Sequence, residues 1–142
     1  MELTKQVPQK DLCKRMLELG WDKETNISWY KYLFVPPNEM NKPFLLENSY
    51  WDSEDSWGMK SRLSKLYPAP SVAELGEELP DKVFKGAKFY LRFWRFQSNW
   101  FLQYSYTGNL GDINLISEPI IAETEADARA KIWIYLKENN LI

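Results

Sequence analysis

The segment 125–139, EADARAKIWIYLKEN, leaves the fewest folds open to this chain. Thr124 is a good N-cap, and Glu125 and Asp127 place negative charge at the positive end of the helix dipole. At helical spacing Ala126, Ala130 and Trp133 line one side, and Ala128, Ile132, Tyr135 and Leu136 line another. Only Asp127, Lys131 and Glu138 form an unbroken polar stripe. A helix apolar over so wide an arc has to be covered from more than one direction. One small sheet covers one side, so another helix or a second subunit is needed for the rest. Trp133 and Tyr135 are therefore candidate interface residues, and a homodimer is an expected assembly.

Residues 88–106 carry the clearest strand signal. KFYLRFWRF and WFLQYSY are dense in aromatic and other strand-favouring side chains and are separated by a few polar residues. With Ser98-Asn99 as a two-residue turn, Leu91 and Phe93 share a face with Leu102, Tyr104 and Tyr106. The opposite face then carries Tyr90, Arg92, Trp94, Phe96, Phe101 and Gln103. This register is preferred because it sorts the aliphatic residues onto one side, and register decides which side chains reach the core.

Further elements follow from local signals. A first helix is predicted over 8–19, with Pro8 in its first turn and Leu12, Cys13, Met16 and Leu19 on its apolar side. Gly20 supplies a left-handed stop, from which Trp21 folds back. SWYKYLFV at 28–35 reads as a strand closed by Pro36-Pro37. Between 38 and 67 the period is lost, and the reading is a long ordered loop with a short strand near Phe44–Leu46. Ser71 and Glu74 make a capping box for a helix over 71–79, ended by Pro80. Residues 107–112 form a turn, followed by a third strand at 113–116, with an extension through Ile121 as the alternative. The expected architecture is α+β: one small antiparallel sheet, centred on the 88–106 hairpin, packed against the N-terminal, middle and C-terminal helices. No internal repeat or linker divides the chain, so 1–142 is read as one domain.

Composition narrows the chemistry. With no histidine among the 142 residues, a histidine-based nucleophile pair and an imidazole metal site are both excluded. One cysteine makes no internal disulfide and fits a reducing compartment. The net charge of −2 disfavours a non-specific nucleic-acid binder. The start of the chain lacks the apolar run of a signal peptide, and its apolar runs are too short for a membrane span. The expected location is the cytoplasm of a bacterium or of a phage-infected cell. No cofactor, metal or catalytic residue is expected, and the chain is read as non-enzymatic.

Carboxylates are the remaining catalytic candidates. Asp52, Glu54 and Asp55 cluster in the 38–67 region, but Trp57 stands where a calcium loop needs glycine, and a solvated acidic loop is the simpler reading. Cys13 reads as a small buried hydrophobe. The sharpest binding candidate is the hairpin face of Arg92, Trp94, Phe96, Phe101 and Gln103. Rings beside an arginine can stack a planar ligand and pair with its phosphate or carboxylate. The competing reading is that the same rings stabilise the sheet and lie under a helix. Tyr50, Trp51 and Trp57 pose the same choice between packing and partner contact.

Several segments together resemble a group of small uncharacterised proteins of bacteria and their phages. Leu12 to Trp21, LCKRMLELGW, resembles that group's opening helix, and Ser28-Trp29-Tyr30 its first strand. Ala69 to Pro80, APSVAELGEELP, is similar to its Ala-Pro-Thr…Glu-Leu…Leu-Pro element. Residues 125–139 resemble its closing helix, with Ile132-Trp133 where the group usually has Met-Leu. The resemblance implies a phage, prophage or mobile-element setting and carries no activity, cofactor or site residue. Two functions are thus expected to compete. One is an accessory protein acting through protein contacts; the other binds a small nucleotide-like anion on the hairpin's aromatic and arginine face.

Overall fold

In the computed structural model, which describes residues 2–33, 42–51 and 62–142, the chain opens with a short helix α1 (Leu3–Gln6) and then α2 (Lys10–Glu18). α2 begins two residues after Pro8, at an N-cap, Gln9, whose side chain makes no capping bond. Its end follows the expected glycine stop. Gly20 has φ +96°, and the N–H groups of Gly20 and Trp21 donate back to the carbonyls of Leu17 and Met16. That reversal buries Trp21 against the helix it has just left.

The single sheet expected from the sequence is replaced by two antiparallel sheets. In the first, β1 (Ile27–Tyr32) lies between β2 (Phe44–Glu47) and β3 (Leu63–Ala69). β2 occupies the site of the short strand expected near Phe44–Leu46, and α3 (Asn48–Trp51) follows it directly. β3 falls partly in the region read as loop. It tolerates Pro68 because it is an edge strand, where a missing N–H breaks no ladder. Pairing along β1 jumps from Trp29↔Tyr67 to Tyr30↔Lys65, leaving Leu66 as a bulge.

Helix α4 (Val72–Glu78) has the capping box written in its sequence. The Ser71 hydroxyl accepts from the Glu74 N–H, and the Glu74 carboxylate accepts from the Ser71 N–H. The same carboxylate also accepts from the Asn26 N–H at 3.0 Å, tying α4 to the entry of β1.

The second sheet runs β4 (Lys82–Phe84), β5 (Lys88–Phe96), β6 (Asn99–Gly108) and β7 (Gly111–Asn114), with β8 (Ile120–Ala122) also paired to β6. The hairpin turn is Gln97-Ser98, one residue earlier than expected, with Phe96 opposite Asn99. Moving a turn by one residue changes each cross-strand partner by two. The two faces therefore keep the membership read from the sequence.

The closing helix α5 (Glu125–Glu138) is capped by Thr124, whose hydroxyl accepts from the Asp127 N–H. Ile132, Trp133 and Leu136 pack with Met16, Trp21, Leu75, Leu102 and Tyr104, so α2, α4 and β6 of the same chain supply the cover. Asp127 was expected on the polar stripe and is instead buried. Its carboxylate accepts the N–H of Gln9 at 2.7 Å, satisfying a donor just ahead of α2. Arg15 on α2 adds an exposed ion pair to Glu138 at 2.8 Å. A smaller cluster of Val7, Cys13, Ile27 and Ala69 joins α2 to the first sheet.

Candidate functional site

The second sheet is two-sided by construction. Leu91, Leu102, Tyr104 and Tyr106 turn toward α5. The opposite face carries Tyr90, Arg92, Trp94, Phe96, Phe101 and Gln103, extended by Phe84 on β4 and Ile121 on β8 through their pairing with Lys88 and Phe101. The expectation that a helix covers this face is not met. Phe84 is 71% exposed, Phe96 63% and Trp94 41%, with Tyr90 and Ile121 exposed beside them. Six apolar side chains on one sheet face, five of them exposed to water, form the kind of surface that water-soluble chains normally keep small.

The rings are organised among themselves. Trp94 and Phe101 face each other across the strands at 5.5 Å with their planes 9° apart. Each spends one ring face on the other, which leaves edges and single faces for anything outside. Cations border the surface: Lys82 and Lys88 are exposed on the same face as Arg92. On the other face Arg95 lies over the Trp100 ring at 5.7 Å.

Arg92 and Gln103 are placed differently from what an anion site requires. The Arg92 guanidinium donates to Asp112 at 3.2 Å and to the Thr107 hydroxyl at 3.3 Å, and that hydroxyl donates to Asp112 at 2.9 Å. An incoming phosphate would have to displace a carboxylate already in place. Gln103 belongs to the strand face but not to the surface, being 4% exposed. Its amide donates to the Ile116 carbonyl and accepts from the Tyr104 N–H, so both ends are committed. The signal missed in the sequence is the 115–119 connection, which interrupts β7 and β8 opposite Gln103.

The candidate interface pair also separates. Trp133 is 3% exposed and meets Trp21 edge to face at 5.3 Å, so another subunit would reach it only by opening the core. Tyr135 is half-buried. Asp52, Glu54, Asp55, Trp57 and the side chains of Tyr50 and Trp51 lie outside the described residues.

Cys13 is inside the molecule, its thiol donating to the Pro8 carbonyl at 3.4 Å. Burial pushes its pKa up to about 12. A thiol held in that state is a poor nucleophile. Burial likewise raises the Tyr104 phenol, whose hydroxyl donates to the Pro80 carbonyl at 2.7 Å.

One large concavity was not foreseen from the sequence. A cleft of about 1300 Å³ opens between α1, the first sheet and the start of α4, lined by Thr25, Asn26, Asn48, Ser71 and the carboxylates Glu24, Glu47 and Glu125. Its described lining contains no lysine or arginine, so its charge opposes an anionic ligand. Among the described residues no group of three or more carboxylate or thiol side chains is placed to hold a metal ion, and no helix is long and apolar enough to cross a membrane. Comparison with family models, with curated proteins and with solved structures gave no match.

Proposed function

We propose that this protein is a non-enzymatic binding protein that works by docking another protein onto the open face of the second sheet. The observation that carries this reading is the exposure of Phe84, Tyr90, Trp94 and Phe96 on one face with nothing of the described chain packed over them. Aromatic side chains lose little conformational entropy when buried at an interface and are enriched among the residues that dominate binding energy. The setting we propose is the cytoplasm of a bacterium or phage-infected cell, as an accessory protein of a phage or mobile element. That rests on the resemblance of the opening, middle and closing segments, and a single buried thiol suits a reducing compartment.

The nucleotide-like-anion reading is weaker, because Asp112 already occupies Arg92 and Gln103 is enclosed. Self-association through α5 is weaker too, since Trp133 is committed to the core.

The test compares the wild type with a Trp94→Ser/Phe96→Ser variant, both introduced as photo-crosslinkable proteins into the bacterial host. Circular dichroism and melting temperature confirm that the variant keeps its fold. A partner captured by the wild type and lost by the variant supports docking on this face. Equal capture by both overturns it. A rise in melting temperature with a nucleotide, and with no partner captured, transfers the reading to the small ligand.

A further inference from the structure

Strand β5 is longer than its outer neighbour. β4 pairs only with Lys88, Phe89 and Tyr90, whereas β5 continues to Phe96. In an antiparallel ladder alternate residues turn their N–H and C=O to opposite sides. The Leu91 N–H donates outward to the Asp81 carbonyl, and on β6 the carbonyl of its partner Tyr104 is taken by Leu115, away from β5. Leu91↔Tyr104 is therefore a pair that exchanges no main-chain bonds. By alternation, Phe93 and Arg95 also point their main-chain groups outward, past the end of β4. Among the described residues no strand pairs with that edge.

Such an edge is a template for an added strand, and chains normally blunt it. Here the blunting is electrostatic: β5 carries Lys88, Arg92 and Arg95, of which only Arg92 has a carboxylate partner among the described residues. Pairing with a second copy along the open stretch would set Arg92 and Arg95 of one strand beside the same two cations of the other. A strand of opposite charge meets no such barrier, and its side chains would fall beside exposed Trp94 and Phe96 on one face and exposed Phe93 on the other.

We infer that the open edge of β5 receives an extended, acidic segment of the partner protein as an additional strand, paired to the main chain of Phe93 and Arg95. This rests on the reading of the sheet face as a protein-docking surface and names the chemistry of what docks there. Main-chain pairing supplies affinity, the aromatic side chains supply selectivity for alternating apolar residues, and the cations select the sign of charge.

The probe is a fluorescein-labelled peptide of alternating Glu and Val, with a Lys-Val peptide of equal length as its counterpart. Fluorescence anisotropy is expected to show binding of the acidic peptide, and the basic one about tenfold weaker or worse. Amide hydrogen exchange is expected to slow at Phe93 and Arg95 in the complex. Arg95→Pro removes an outward N–H without touching the β5–β6 ladder, and is expected to lose binding. Should that variant fail to fold, the exchange measurement on the wild type decides alone. Absence of acidic-peptide binding, or binding that leaves the Phe93 and Arg95 amides unprotected, overturns the inference. If the cross-linked partner still depends on Trp94 and Phe96 while those amides exchange freely in the complex, the face reading stands and the edge inference falls.

Discussion

Two single residues report how tightly the fold is set. The Cys13 thiol is shifted from 9.0 to about 12 by burial. Between those values the unfolded chain has released the thiol proton and the folded chain retains it, so the unfolded state binds fewer protons and stability falls as pH rises through the window. Below it the contribution is constant. Comparing wild type with Cys13→Ala, the melting temperature of the wild type is expected to fall more steeply between about pH 9 and about pH 11. Parallel curves would mean the thiol ionises freely in the native state. Gln97 gives the opposite kind of report. It stands first in a two-residue turn with φ 56°, a conformation that costs a β-carbon about 1–2 kcal/mol. Glycine there loses part of that gain to chain entropy. Gln97→Gly is expected to stabilise by about 0.5–1 kcal/mol in urea unfolding, and a loss of stability would show that the Gln97 side chain contributes to the turn.

At the scale of elements, the joint between α2 and α5 depends on a carboxylate that the helical pattern assigns to solvent. Asp127→Ala leaves the Gln9 N–H without its acceptor and is expected to cost about 1–3 kcal/mol. Asp127→Asn keeps an oxygen in place and should recover much of that, while Lys131→Ala, an exposed change on the same stripe, should stay within about 0.5 kcal/mol. Chemical denaturation of the three variants checks the order; equal losses for Asp127→Ala and Lys131→Ala would remove the joint from the account. The same contrast shows what the sequence makes legible. The two faces of the β5–β6 hairpin could be read because alternation survives a one-residue error in the turn. The caps at Ser71, Thr124 and Gly20 could be read because each is a bond between near neighbours in sequence. β3 was hidden because Pro68 argues against a strand until its edge position is known. β4, three residues long, leaves too little pattern to detect. The burial of Asp127 and of Gln103 depends on partners, Gln9 and Ile116, whose proximity is created only by the tertiary fold.

For the whole molecule, an open aromatic face and a strand edge with no partner among the described residues are both routes to self-association. Net charge is only −2, too small for general repulsion to keep copies apart. The barrier this sheet offers is local charge, and the arginines of β5 stand where edge-to-edge pairing would begin. Arg92 and Arg95 then act as gatekeepers, positioned so that any second copy aligned on Phe93 and Arg95 meets charge of its own sign. Removing both in an Arg92→Thr/Arg95→Thr variant leaves β propensity intact and takes the barrier away. Sedimentation velocity is expected to show the wild type as a monomer and the variant shifting to dimers and larger species as concentration rises. An Arg92→Glu/Arg95→Glu variant, which restores repulsion with the opposite sign, is expected to return to monomer and to exchange the preference between acidic and basic peptides. A double-threonine variant that remains monomeric would mean that the shape of the face, and not its charge, keeps copies apart. The preference for an acidic partner would then have to come from elsewhere than β5.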